Sequence, residues 1–213
     1  MQIFPRSLNR LPFIVAVVGG VVTTGLVGAI WYYLTPKNFF VGYQPVQPIP
    51  YSHRLHAGQM GIDCRYCHAQ VEKSAKAMIP PTQVCMGCHA MVKADSPRLA
   101  NLRKSWDTGK PVEWVQIHKL PDHAYFDHSA HINAGGKEGL AIGCVTCHGR
   151  IDEMEVVRAE QPVGMGWCLE CHRDPGPNLR PRAELTNMAW NDPNFHADVT
   201  KVNPPQHCSG CHR

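Results

Sequence analysis

Large aromatic side chains are scarce in this sequence: six Phe, six Tyr and five Trp among 213 residues. Much of the remaining apolar content sits in one N-terminal run, so the residues after it are poor in the side chains that usually fill a core. Some other apolar mass must be buried there. Charge is also limited. The formal net charge is +4 and is spread along the chain. No basic block interleaved with aromatics occurs, which excludes nucleic acid as the expected partner. Cysteine is absent outside one repeated pattern, and that pattern dominates what is present.

The apolar run covers residues 13–34, Phe13 to Leu34, and carries no charge. As a helix its 22 residues span about 33 Å, enough to cross a bilayer core. The rival reading is a cleaved signal, since Val27-Gly28-Ala29 has the small residues of a peptidase site. The length favours a retained anchor. Arg6 and Arg10 precede the run and Lys37 follows it, which predicts a cytoplasmic N-terminus. Trp31, Tyr32 and Tyr33 then fall at the outer interface. Ala16, Gly20, Thr24 and Gly28 share one face, the pattern that lets a partner's membrane helix approach closely.

Beyond the run, Pro36, Pro45, Pro48 and Pro50 predict an extended tether over 35–50. An amphipathic helix is expected over Pro97 to Asp107, capped by Ser96 and ended by Gly109. Leu99, Leu102 and Trp106 would form its buried face.

All ten cysteines belong to Cys-x-x-Cys-His elements: Cys64/Cys67/His68, Cys85/Cys88/His89, Cys144/Cys147/His148, Cys168/Cys171/His172 and Cys208/Cys211/His212. Cysteine pairs also build zinc sites and disulfides, but neither requires a histidine after every pair. With 13 His in 213 residues, five out of five by chance is on the order of one in a million. The spacing is that of c-type haem attachment: two thiols form thioethers to the vinyl groups, and the next imidazole reaches the iron. Five covalently bound haem c groups are therefore expected, and they supply the missing apolar mass. Without them the region after Pro50 should stay largely unfolded. Haem attachment outside the cytoplasm agrees with the orientation read from Arg6 and Arg10. The propionates would bring the net charge to around zero or below, with Arg150, Arg173, Arg180 and Arg182 as candidate partners.

The motifs repeat in groups. Tyr51-Ser52-His53-Arg54-Leu55-His56 precedes Cys64, and Phe126-Asp127-His128-Ser129-Ala130-His131 precedes Cys144. A second motif follows each, at Cys85 and Cys168. Two histidines three apart can serve two different irons, so His53, His56, His128 and His131 are expected as distal ligands. His118 is expected as the fifth, with His123, His196, Met60, Met154 and Met165 as alternatives. His207 adjoins Cys208 and is poorly placed.

The organisation that follows is a tail over 1–12, a membrane span over 13–34, a tether over 35–50 and a haem domain over 51–213. That domain holds modules at about 51–95 and 118–175 and a terminal haem segment over 176–213. The expected fold class is a mainly irregular and α-helical multihaem cytochrome c, with modules like those of class III, behind one N-terminal transmembrane helix.

Several stretches carry a more specific likeness: Tyr51 to His68, Ile79-Pro80-Pro81, Ser105-Trp106 through Trp114, His118-Lys119-Leu120-Pro121-Asp122 to His131, and Met165-Gly166-Trp167-Cys168. In these the chain resembles the pentahaem cytochrome c subunit of alternative complex III, over nearly everything after the anchor. His123 departs from the pattern, which usually has an apolar aromatic there. The resemblance implies one membrane helix and five haems on the outer, periplasmic face of a bacterial cytoplasmic membrane. It implies as partners an iron–sulfur protein, quinol-binding polytopic subunits, a monohaem cytochrome c and the lipid bilayer. Electrons would pass from quinol through the haems to a cytochrome or other acceptor, with no catalytic residue on this chain. Two rivals remain: a stand-alone multihaem quinol dehydrogenase, and a multihaem reductase. Against the reductase, no Cys-x-x-Cys-Lys occurs.

Overall fold

The structure, a computed structural model, describes residues 5–136 and 139–212. Met1–Phe4 of the expected N-terminal tail, the Arg6 side chain, Lys137, Glu138 and Arg213 lie outside the described residues. The chain forms two compact units, one up to Phe40 and one from Val41 onward.

In the first unit a 3₁₀ turn, Arg6–Arg10, leads into helix α1, Leu11–Tyr33. Pro12 sits in its first turn, where no intrahelical donor is lost. The 23 residues rise about 34 Å. With a mean hydropathy of 2.3 over an 18-residue window, this is one helix long and apolar enough to cross a membrane. Ala16, Gly20 and Thr24 line a shallow groove along it with Val17, Val21 and Gly25. Pro36 disfavours helix at Thr35, whose backbone is extended, and α1 stops there. Asn38 and Thr35 donate to the Tyr32 carbonyl that this ending exposes. One further turn, α2, Pro36–Phe39, follows within the expected tether.

The rest of that stretch is tied into the second unit. Gly42 N–H donates to the Ala159 carbonyl (2.7 Å), and Ala159 N–H to that of Tyr43 (3.0 Å). The Gln47 amide makes two bonds to the Val115 backbone. Main-chain and glutamine pairing thus holds residues 42–47 against distant segments.

The second unit is built from short helices and irregular chain. They are a π-helical turn, Arg54–Gln59, and α3, Cys64–Cys67; α4, Thr82–His89; α5, Ala100–Thr108; α6, His128–Ile132; α7, Cys144–His148; α8, Met165–Arg173; and α9, Cys208–Cys211. Strands β1, Leu140–Ile142, and β2, Leu179–Pro181, pair antiparallel with Ala141 opposite Arg180. A core cluster of Ile132, Ala141 and Leu185 lies beside them, packed on by Val71 and Cys144. Among the described residues only ten apolar side chains are buried, all outside α1. That is too little apolar burial to order this much chain.

The amphipathic helix differs from expectation at both ends. A 3₁₀ turn, Pro97–Leu99, precedes α5, and Ser96 makes no side-chain cap bond. Gly109 closes it in the left-handed conformation (φ 68°), as expected. Leu102 is buried, but Trp106 is 50% exposed and Ser105 is buried instead. The Ser105 hydroxyl reaches the Lys110 carbonyl (2.5 Å) and the Thr82 hydroxyl (2.7 Å), so a polar junction to α4 takes the inner face.

Candidate haem sites and their histidines

Each Cys-x-x-Cys pair lies on a helical turn, for a geometric reason. Residues i, i+3 and i+4 share one helix face, so both thiols and the following imidazole project together. Three motifs open their helices at the first cysteine: α3, α7 and α9. The other two, Cys85/Cys88 and Cys168/Cys171, occupy the later part of α4 and α8. This alternation follows the repeat: a short helix carries the first motif of each module, and a longer one the second. All ten thiols are unpaired, with no disulfide between them.

The histidine rings are oriented from behind. In seven of them Nδ1 bonds a main-chain carbonyl: His56 to Ser52 (2.8 Å), His68 to Met78 (2.6 Å), His89 to Val92 (2.9 Å), His128 to Ala75 (2.7 Å), His131 to Asp127 (2.7 Å), His172 to Pro205 (2.7 Å) and His212 to His123 (2.9 Å). A carbonyl only accepts, so Nδ1 must carry the proton and Nε2 is left with its lone pair. That tautomer is the one an iron requires. At His118 it is Nε2 itself that is buried without a hydrogen-bond partner. His53 and His148 instead have a buried, unpartnered Nδ1.

Burial favours the neutral form of four of the histidine rings, His148, His53, His118 and His131. It pulls His148 down to about 3, aided by His118, His128, His68 and His53. His53 is pulled down to about 4 by burial and by its neighbours His68 and His56. His118 and His131 are lowered for the same leading reason. A neutral imidazole at physiological pH is a ligand rather than a cation.

Ring spacings test the pairing. Two imidazoles bound through nitrogen to one metal, at about 2 Å each, put their ring centres roughly 6 Å apart. His56 and His89 are 6.1 Å apart, His131 and His172 6.1 Å, and His128 and His148 6.4 Å with planes 7° apart. His118 stands 4.5 Å from His148 at 81°, so it belongs to the neighbourhood of the third motif. His123 lies 5.6 Å from His212, yet its own carbonyl holds Nδ1 of that ring. One residue cannot place its carbonyl behind an imidazole and its side chain opposite Nε2, so His123 does not fit as a ligand to that site. His196 is exposed.

The repeat is reproduced in three dimensions. Tyr51 stacks on His56 (4.5 Å, 21°) and meets His53 edge-on (4.8 Å, 86°). Phe126 stacks on His131 (4.5 Å, 30°) and meets His128 edge-on (4.7 Å, 87°). Ser52 and Asp127 accept local backbone N–H bonds at equivalent positions.

Interactions between thiols link each motif to the next. Cys85 acts electrostatically on Cys67, linking the second motif to the first. The Cys64 and Cys144 thiols interact directly, which joins the first to the third; this contact, with burial, pushes Cys144 up. Cys147, pushed up to about 12 by burial, senses Cys171 and Cys168 of the fourth motif. Cys168 in turn senses Cys211 of the fifth. The resulting order is second, first, third, fourth, fifth.

Of the candidate propionate partners, Arg150 bonds Asp152 and Glu153, and Arg182 bonds Glu72, Asn133 and the Ile132 carbonyl. Arg180 is buried, donates to the Glu184 and Asn187 carbonyls and lies 5.1 Å from the Trp190 ring centre. Its guanidinium packs on Gly143, where any side chain would collide with it. Arg173 lines a cavity of about 550 Å³ with Cys171, Trp167 and Thr146. The carbonyls of Met78, Val92, Ala75 and Pro205 that orient these rings carry no sequence signal, because any residue could supply them.

The donor set, its spacing and its tautomers fit covalently attached haem. No protein-family model matches the chain. It is 27% identical, over 184 residues, to the multihaem cytochrome c subunit of menaquinone reductase from Nitratidesulfovibrio vulgaris (strain Hildenborough). The match covers 80% of this chain and 78% of that protein. The likeness supports covalently bound c-type haems and a multihaem electron-transfer role in a quinol-linked complex.

Proposed function

We propose that this chain is the electron-transfer subunit of a membrane complex that exchanges electrons with the quinone pool, carrying them along five c-type haems. The single observation that supports it most is the set of seven histidines whose Nδ1 is pinned to the main chain and whose Nε2 is left for iron. Once bound, the haems supply one-electron exchange.

The chain's own residues do the rest. Cys64, Cys67, Cys85, Cys88, Cys144, Cys147, Cys168, Cys171, Cys208 and Cys211 hold the macrocycles. His68, His89, His148, His172 and His212 ligate from the attachment side, and His53, His56, His118, His128 and His131 serve as distal ligands. Carbonyls of Met78, Val92, Ala75 and Pro205 set ring orientation and ligand basicity. An iron with both axial positions filled by histidine would leave no position for substrate, so the chemistry is assigned to partner subunits. The order in which the motifs neighbour one another supports one path with the second and fifth motifs at its ends.

In its finer form the reading is the pentahaem subunit of alternative complex III. Helix α1 anchors it with the N-terminus in the cytoplasm and the haems on the periplasmic side. Its small-residue groove receives a helix of a quinol-binding subunit, beside an iron–sulfur protein and a monohaem cytochrome. The relative's name favours a second direction of flow, from the haems into the quinone pool. Purification of the haem-loaded chain from its native membrane tests all of this. Co-purifying membrane subunits, and quinol turnover that is lost when the chain is isolated, are expected. An isolated chain that turns over a quinol analogue would overturn the reading. Starting from oxidised or reduced haems separates the two directions.

A further inference from the structure

Tyr51 and Phe126 each touch two distal histidines at once, and the two contacts differ in kind. One histidine is stacked face to face: His56 on Tyr51 at 4.5 Å and 21°, and His131 on Phe126 at 4.5 Å and 30°. The other is met at a right angle: His53 at 4.8 Å and 86°, and His128 at 4.7 Å and 87°. In both modules the aromatic residue is half-buried and lies two residues before the first histidine. Tyr51 also lies within electrostatic range of Cys64, Cys67 and Cys85, between the first two motifs.

The torsion that turns an imidazole about its own axis is soft, with broad wells. A ligand ring therefore needs an outside restraint to hold one plane. For His56, His131 and His128 part of that restraint is the bond from Nδ1 to a carbonyl. His53 has no such bond, since its Nδ1 is buried and unpartnered. The Tyr51 ring, met edge-on at 4.8 Å, is then the aromatic contact available to hold its plane.

Building on the bis-histidine reading above, we propose that Tyr51 and Phe126 are positioning residues, each fixing the ring planes of two distal ligands that serve neighbouring irons. One aromatic ring thereby ties together the ligand fields of a pair of haems. The ring-plane angle at an iron governs its magnetic anisotropy, and ligand orientation tunes its potential. The asymmetry between the modules is part of the inference. Loss of the ring at position 51 frees His53, whereas at position 126 His128 stays tethered to Ala75.

The test is electron paramagnetic resonance with spin counting, plus a redox titration, on the haem-loaded full chain. The variants are Tyr51→Leu, Tyr51→Phe and Phe126→Leu. In Tyr51→Leu, two of the low-spin signals should shift and broaden, and two redox steps should move, with the others unchanged. Tyr51→Phe should restore the original spectrum, because the ring and not the hydroxyl acts. Phe126→Leu should perturb a different pair, and by less. A Tyr51→Leu spectrum that superimposes on the original overturns the proposal, as does a Tyr51→Phe variant as disturbed as Tyr51→Leu. If Tyr51→Leu does not assemble, Phe126→Leu against the unaltered chain decides in the same way. Failure of the underlying reading is distinguishable: it would show as high-spin haem in the unaltered chain.

Discussion

Replacing His131 by alanine isolates one ligand with little else disturbed. His131 lies in the last turn of α6, where alanine is a better helix former than histidine. The helix keeps its Asp127 cap, which bonds Ser129 N–H at 2.8 Å. What is lost is one imidazole, 6.1 Å from the His172 ring centre. No neighbour can replace it locally. His128, one turn earlier, is tethered to Ala75 and faces His148 at 6.4 Å. One iron of five should therefore lose its sixth ligand, so a fifth of the low-spin ferric intensity should convert to high-spin. The assay is spin-counted low-temperature resonance on the oxidised, haem-loaded chain, with haem content fixed by pyridine haemochrome. Added imidazole should return the signal to low-spin, since the vacated space matches the lost ring. A fully low-spin variant would refute the assignment of His131. Conversion of two-fifths or more would refute the separation of neighbouring sites on which the pairing rests.

Other outcomes follow from local geometry. His123→Ala should leave every haem low-spin, because the His123 contribution to His212 is its backbone carbonyl; a new high-spin signal in the same assay would contradict this. Asp63→Asn should lower the denaturant midpoint of the haem-loaded chain at neutral pH. The Arg65 side chain chiefly, with Arg65 N–H and Thr186, holds the Asp63 carboxyl down at about 2. Its stabilisation is fully present above the ordinary carboxylate value and fades as pH falls through about 2, so the two proteins should converge in acid. Gly58→Ala should reduce stability by about 1–3 kcal/mol, read by chemical denaturation, because a Cβ there would sit 2.3 Å from the Asp152 carbonyl oxygen. An unchanged midpoint would show that the turn Arg54–Gln59 can move away at no cost.

Much of the site is legible in the sequence because haem attachment is local chemistry. Cys-x-x-Cys-His works through the i, i+3, i+4 face of one helical turn, and Tyr51-x-His53-x-x-His56 and Phe126-x-His128-x-x-His131 carry both the ligands and the ring they pack on. The apolar run behind α1 is legible for a similar reason, since length and hydropathy alone qualify it to cross a bilayer. The amphipathic helix was harder to read. Periodicity marked Leu102 but not Ser105, whose burial depends on hydroxyl bonds to Thr82 and Lys110.

Other features depend on chain segments far apart in sequence. Residues 42–47 read as a tether because proline signals extended chain but not what that chain will pair with; Ala159 and Val115 supply the partners. The sequence ties His118 to no particular motif, and the fold sets it 4.5 Å from His148, the ring that His128 also faces. The reason His123 does not fit is visible only in the fold, where its carbonyl bonds the His212 ring. The order of the motifs is decided by contacts such as Cys64 with Cys144, 80 positions apart. By itself the sequence determined which groups are expected and which atoms would hold them, because those bonds would form within one turn of helix. The tertiary structure decided which histidines face each other and in what order the motifs stand, because those relations depend on long-range packing that no local pattern encodes.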